Sequence, residues 1–378
     1  IVRGGALAWS AVAFHTADAG FTFDADLAAR DVPINRRHLA PFSDPKTIDA
    51  LLDELKWRGK LDLRDGHVTL TGRAANDAKL VFRGTVVPKE MSIVLGLPLA
   101  VKTAEARIEE LVLEGGHVRT RARVRGFSGQ VAGRSLEQAE LLVTYFEPRL
   151  SIEDMTGKFA GGELRPLGTD SDRGGTLFSI DLTEPYPFQL ALDLRDVKVE
   201  ELLQGLFVSN VANKGRLECQ LRLVGDEKDL LKMRGSGSVV LRDSYLWSVP
   251  VIRSLLETVR LGSTVTFDSM AANIDVKDGK IAMRDIRVAS AALQLAGEGT
   301  LDFDGTLDYA LDVQLTEIKN LAWLLRFVTW VTDNIVSVSI QGDLDRPSIR
   351  AHWFGIFGRR GGYRALPLPG YAPLPPRF

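Results

Sequence analysis

Apolar and polar residues alternate one for one along much of this chain. Leu61 and Leu63 alternate with Lys60, Asp62 and Arg64, and Val68 and Leu70 alternate with Thr69 and Thr71, with Asp65-Gly66 between the two runs. A period of two marks a β-strand that buries one face. Asp-Gly suits the positive φ of a two-residue turn, so the stretch predicts a hairpin. The layout recurs around Gly115-Gly116, Asp278-Gly279 and Asp304-Gly305. Four hairpins of one design predict an antiparallel meander.

A sheet with one apolar face must cover it with helices, a second sheet or a ligand. Helical periodicity is scarce. Residues 44–57 form one amphipathic candidate, with Asp44 as N-cap and Pro45 at the first helical position. Three more are expected near 198–206, 249–261 and 318–331. So little helix leaves a long sheet uncovered, which predicts that it curls on itself or holds something. The expected fold is mainly β with a few short helices: an elongated, curled antiparallel β-sheet forming a groove of repeated modules.

A coarser repeat supports that picture. The stretch from Phe23 and the stretch from Phe188 each read as alternating strand, Arg-Asp-Val, short helix, basic-Gly-basic, alternating strand. Asp31 aligns with Asp196 and Gly59 with Gly215, 165 and 156 residues apart. The expected organisation is a β-rich module over 1–167, a second over 176–358, and a Gly/Pro-rich tail over 359–378, extended or disordered.

Composition narrows the classes. The 378 residues are 45% hydrophobic and 25% charged, which excludes wholesale disorder, and a net charge of −2 gives no field suited to holding nucleic acid. Cys219 is the one cysteine, so no intramolecular disulfide or multi-cysteine metal site can form. It shares a strand face with Leu217, Leu221 and Leu223 and reads as a buried small apolar residue. Residues 1–14 are too short to span a bilayer, which needs about 20 apolar residues. A membrane anchor, if any, is expected upstream.

Catalytic patterns are missing. The five histidines are scattered, with no His-Glu-x-x-His pair, and neither a nucleophile elbow nor a phosphate-binding loop occurs. His67 and His117, each just after an expected hairpin turn, read as solvated. Gly235/Gly237 and Gly297/Gly299 lead into strands rather than helices, so they are expected to mark bends of the sheet and not a dinucleotide fold. No catalytic residue, metal site or cofactor is expected.

Residues 321–340 are the most apolar stretch and carry Trp323, Phe327 and Trp330, with Arg326 and Asp333 against a simple membrane span. They fit a helix buried against the end of the sheet or an element that dips into a bilayer surface. Trp353, Phe354 and Phe357, followed by Arg359 and Arg360, form a second candidate for membrane contact.

The second half resembles the C-terminal region of AsmA-like proteins, relatives of TamB and of bacterial bridge-like lipid transfer proteins. The resemblance rests on Asp243, Val249-Pro250-Val251, Asp278-Gly279, Val288-Ala289-Ser290, Gly297 to Asp302 with Gly305 to Asp308, and Gly342 to Pro347, in order over about residues 190–350. It implies part of a longer periplasmic chain anchored in the inner membrane. It also implies a curled sheet whose apolar groove carries phospholipids between the inner and outer membranes.

The expected function is therefore a lipid conduit, not an enzyme. Acyl chains are expected against Leu61, Leu63, Val68, Leu70, Ile274, Val276, Ile281, Met283, Ile286, Val288, Leu293 and Leu295. The expected partners are phospholipids, with the outer membrane or an envelope protein at the C-terminal end. The alternative is an assembly module that aids outer-membrane protein or envelope biogenesis through exposed strand edges, without lipid transfer.

Overall fold

The computed structural model describes residues 6–17, 20–33, 56, 58–73, 77–95, 97–168, 175–204, 214–226, 228–245, 250–258, 266–291, 293–315, 335–344 and 346–353. Among the described residues nineteen strands form one antiparallel sheet. The first half contributes β1 (Ala6–Ala17), β2 (Gly20–Pro33), β3 (Arg58–Gly72), β4 (Lys79–Leu95), β5 (Leu97–Glu114), β6 (His117–Val131), β7 (Arg134–Phe146), β8 (Arg149–Phe159), β9 (Gly162–Pro166) and β10 (Thr176–Asp181). The second contributes β11 (Pro187–Lys198), β12 (Lys214–Asp226), β13 (Arg234–Tyr245), β14 (Phe267–Lys277), β15 (Lys280–Ala289), β16 (Leu293–Asp302), β17 (Thr306–Leu315), β18 (Ile335–Asp343) and β19 (Arg346–Trp353).

Each strand pairs with the next, except that β9 and β10 share one row end to end between β8 and β11. The pairing is continuous across the expected module boundary. Leu167 N–H donates to Ala191 O and Asp154 N–H to Gly175 O, each at 3.0 Å. Counting the shared row once, eighteen rows at about 4.8 Å make the sheet roughly 80 Å wide. Among the described residues β1 and β19 each pair on one side only.

The hairpin turns at Gly115-Gly116, Asp278-Gly279 and Asp304-Gly305 form as the alternation predicts. Asp65-Gly66 does not turn. It lies inside the 15-residue β3, where Asp65 (φ 48°) is an extra residue opposite β4. Leu63 and Val68 are five apart, so a regular strand would send them to opposite faces. The extra residue restores both to the same face, opposite Val86 and Phe82. His67 consequently sits mid-strand, exposed, with Nδ1 2.9 Å from Asp26 Oδ1.

That device is general in this chain. Arg-Asp occurs five times, and Asp31, Asp65, Asp196, Asp243 and Asp285 all have φ between 48° and 54° at a register shift. Asp tolerates the left-handed region better than most residues, which makes it a suitable bulge residue. The repeat seen in the sequence has the same backbone twice. Asp31 and Asp196 are bulges, and Gly59 (φ 125°) and Gly215 (φ 143°) lie against a second bulge at Glu90 and Asp243 respectively.

Among the described residues two α-helices accompany the sheet: α1 (Val199–Leu202), shorter than the stretch expected at 198–206, and α2 (Pro250–Thr258), within 249–261. The helix candidates at 44–57, apart from residue 56, and at 318–331 lie outside the described residues, as does the tail from 359. α2 packs against β19 although its connection joins β13 to β14. Leu255 and Leu256 of α2 share a buried cluster with side chains of β15, β16, β17 and β18, the strands between β14 and β19.

Candidate functional site: an apolar groove

Cross-strand partners share a face, so the registers trace each face across the molecule. One ladder runs Gly84, Ile108, Ala122, Val143, Ile152, Phe178, Leu190, Leu223, Gly235, Val276, Ile281, Leu301, Leu307, Gly342, Pro347. It crosses from β4 to β19 without one polar side chain. A parallel ladder runs Pro166, Leu192, Leu221, Gly237, Ile274, Met283, Gly299, Tyr309, Ile340, Ile349, interrupted only by the tyrosine hydroxyl. That hydroxyl lies 3.5 Å from Met283 Sδ.

Glycines are concentrated on the apolar face. Gly84, Gly129, Gly157, Gly235, Gly237, Gly297 and Gly299 all fall on it. At Gly299 a Cβ would lie inside the ring of Tyr309, which rests on the bare backbone. Gly235 and Gly237 are crowded in the same way, by Leu223 and Leu221 and by the backbone of β12.

All twelve candidate groove residues lie on this one face. Leu61, Leu63, Val68, Leu70, Ile274, Ile281, Met283 and Ile286 are half-buried. Val276, Val288, Leu293 and Leu295 are buried, at 0 to 6% exposure. The last three belong to a core cluster with Leu255 and Leu256 of α2, so they have no free surface for a ligand in this arrangement. Alternation alone could not distinguish these two groups, because the cover comes from a distant helix. It also left out Phe82, Leu111, Leu190 and Leu223, which the registers place on the same face and which are half-buried. Cys219 is on this face too, opposite Leu194 and Val239. Of the candidate membrane contacts, Trp353 ends β19, opposite Val336. Trp323, Phe327, Trp330, Phe354 and Phe357 lie outside the described residues.

The opposite face is mainly polar, with Val81 and Val112 among its exceptions, and carries many ion pairs. Lys89 Nζ lies 2.9 Å from Asp31 Oδ1 and 2.8 Å from Asp62 Oδ2. Glu109 takes Arg121 and Arg123, Arg242 takes Glu218, and Arg284 takes Asp275. A cavity of about 300 Å³ beside β10 to β12 contains the Arg149–Asp181 pair, joined by two hydrogen bonds of 2.7 and 3.1 Å. Arg149 holds the Asp181 carboxyl below the usual carboxylate range, so that acid is committed to its partner. Among the described residues no group of three or more His, Cys, Asp or Glu is arranged to hold a metal, and no helix is long and apolar enough to cross a membrane. The chain matches no family model, no curated protein and no solved structure.

Proposed function

We propose that the groove binds phospholipid acyl chains and passes them along the sheet without chemistry, as one segment of a periplasmic bridge between the inner and outer membranes. The observation that carries this reading is the apolar ladder from Gly84 to Pro347, which remains on one face through every bulge. A water-facing surface has no need of such continuity. A chain sliding along the groove meets side chains of one kind at each step, so no single position traps it.

The energetics are adequate. Each buried CH₂ contributes about 0.8 kcal/mol, so a 16-carbon chain gains on the order of 10 kcal/mol on leaving water. A chain spanning half of a roughly 30 Å hydrocarbon core is short beside a groove roughly 80 Å long. Several lipids fit in file. The resemblance to AsmA-like proteins supports the same reading and supplies the inner-membrane anchor as part of the proposal.

Native mass spectrometry with lipid extraction tests it on the full chain, comparing wild type with Val68→Asp/Leu111→Asp. Both positions are half-buried, so charges there are expected to expel acyl chains while leaving the fold intact. Phospholipid bound to wild type and lost from the variant supports the proposal. A folded wild type that carries no lipid rejects it and favours an assembly module acting through its strand edges.

A further inference from the structure

Helix α2 is more than the sheet requires. β13 and β14 are paired neighbours that a short turn could join, yet 21 residues, 246–266, separate them. Within that connection Leu255 and Leu256 are 3% and 1% exposed, packed on Val288, Leu293, Leu295, Val313, Val336 and Ile340. Arg253 and Glu257 face solvent. α2 thus lies over the apolar face and reaches β19. Beneath it Tyr309 lies across Gly299 toward Met283 and narrows the groove floor. Across β3 to β5 the same face has no helix over it among the described residues, and Leu63, Leu70, Phe82 and Leu111 remain half-buried.

We infer that α2 is a built-in stopper of one part of the groove: seated, it closes the strip formed by Val288, Leu293, Leu295 and Val313, and lipid reaches that strip only when α2 lifts from Leu293 and Leu295. The inference rests on the lipid reading and adds to it a place where passage is controlled. The stopper is held by apolar contacts alike in kind to those an acyl chain would make. Lipid therefore competes directly with Leu255 and Leu256 for the same surface. A lipid arriving along the groove can displace the helix without any other signal, and the helix reseats when the lipid has left.

The test uses the full chain with Cys219→Ala and single cysteines at Leu70→Cys, in the open part, and Leu293→Cys, under α2. Each is labelled with a small apolar maleimide, with and without dioleoyl phosphatidylcholine vesicles. With α2 intact, Leu293→Cys is expected to react at least about 10-fold more slowly than Leu70→Cys, because a buried thiol must wait for local opening. Vesicles should protect Leu70→Cys. In Leu255→Ser/Leu256→Ser the buried cysteine should react at a rate close to that of Leu70→Cys and become protected by vesicles, with Leu70→Cys unchanged. Leu256→Ala, a milder release, replaces the double variant if circular dichroism shows that the latter unfolds. Equal rates at the two cysteines with α2 intact would overturn the stopper. So would a released, reactive Leu293→Cys that vesicles fail to protect while Leu70→Cys is still protected. Loss of protection at Leu70→Cys itself would overturn the lipid reading and the stopper with it.

Discussion

The Asp62 carboxylate accepts the backbone N–H of Asp31 at 2.8 Å, joining β3 to the bulge of β2. Lys89 from β4 closes the cluster by binding both carboxylates. Lys89 first, and then the Asp31 N–H, hold the Asp62 carboxyl below its ordinary value of 3.8. Asp62 first, and then Asp31, hold Lys89 above 10.5. A carboxylate with a depressed folded pKa stabilises the fold above its unfolded value and loses that contribution as pH falls through the folded one. For Lys89 the contribution is present below 10.5 and is lost as pH rises through the raised folded value. In Asp62→Asn the melting temperature should therefore drop at neutral pH and decline less than wild type between pH 4 and 2. Thermal unfolding across that range reads both effects.

Asp196 tests the bulge device. Its carboxylate is exposed and only 3.5 Å from Arg216, so little stability resides in the ion pair. The backbone at φ 54° is the constraint. Asp196→Val should cost about 1–2 kcal/mol, the penalty of a left-handed conformation for a side chain that resists it. Asp196→Gly should remain within about 0.5 kcal/mol of wild type, because glycine adopts that conformation freely. Urea unfolding of the two variants compares them directly.

Gly299 tests the crowded inner face. A methyl group there would occupy the space of the Tyr309 ring, so Gly299→Ala should cost about 1–3 kcal/mol as an overpacked site. Gly299→Ala/Tyr309→Ala should recover part of that loss. The recovery is measured as the interaction energy of a double-mutant cycle.

Cys219 reports on the groove wall. Burial first, and the Asp193 charge second, push its thiol from 9.0 up to about 11. Two units leave roughly 100-fold less thiolate at pH 8 than in the unfolded chain, so iodoacetamide should react about that much more slowly with native protein. The folded pKa is the higher one. Stability should consequently fall between pH 9 and 11, where the unfolded thiol ionises and the native thiol does not.

The alternation of apolar residues was enough to reveal a curled antiparallel sheet, because each strand buries one face and period two survives any topology. It placed all twelve groove candidates on a common face. It failed at Asp65-Gly66 for a reason local to the chain: a left-handed Asp serves a turn and a bulge alike, and only the lengths of β2 and β4 decide between them. The better signal was also present. Leu194 and Val197, or Met283 and Ile286, are three apart across Arg-Asp yet share the apolar face, a spacing that a regular strand forbids. What alternation could not supply was the cover of Leu293 and Leu295 by Leu255 and Leu256, since a period of two within each strand says nothing of where a helix packs.

Strand parity gives the most direct test of the lipid reading. A benzophenone side chain is placed at Ile108, Leu190 or Leu223 on the apolar ladder, or at the chain neighbours Arg107, Gln189 or Arg222 on the opposite face. The protein is then irradiated in the presence of phospholipid vesicles. Phospholipid adducts should form at 108, 190 and 223 and not at 107, 189 and 222. Equal adducts at both sets, or none at either, would contradict a lipid groove on this face.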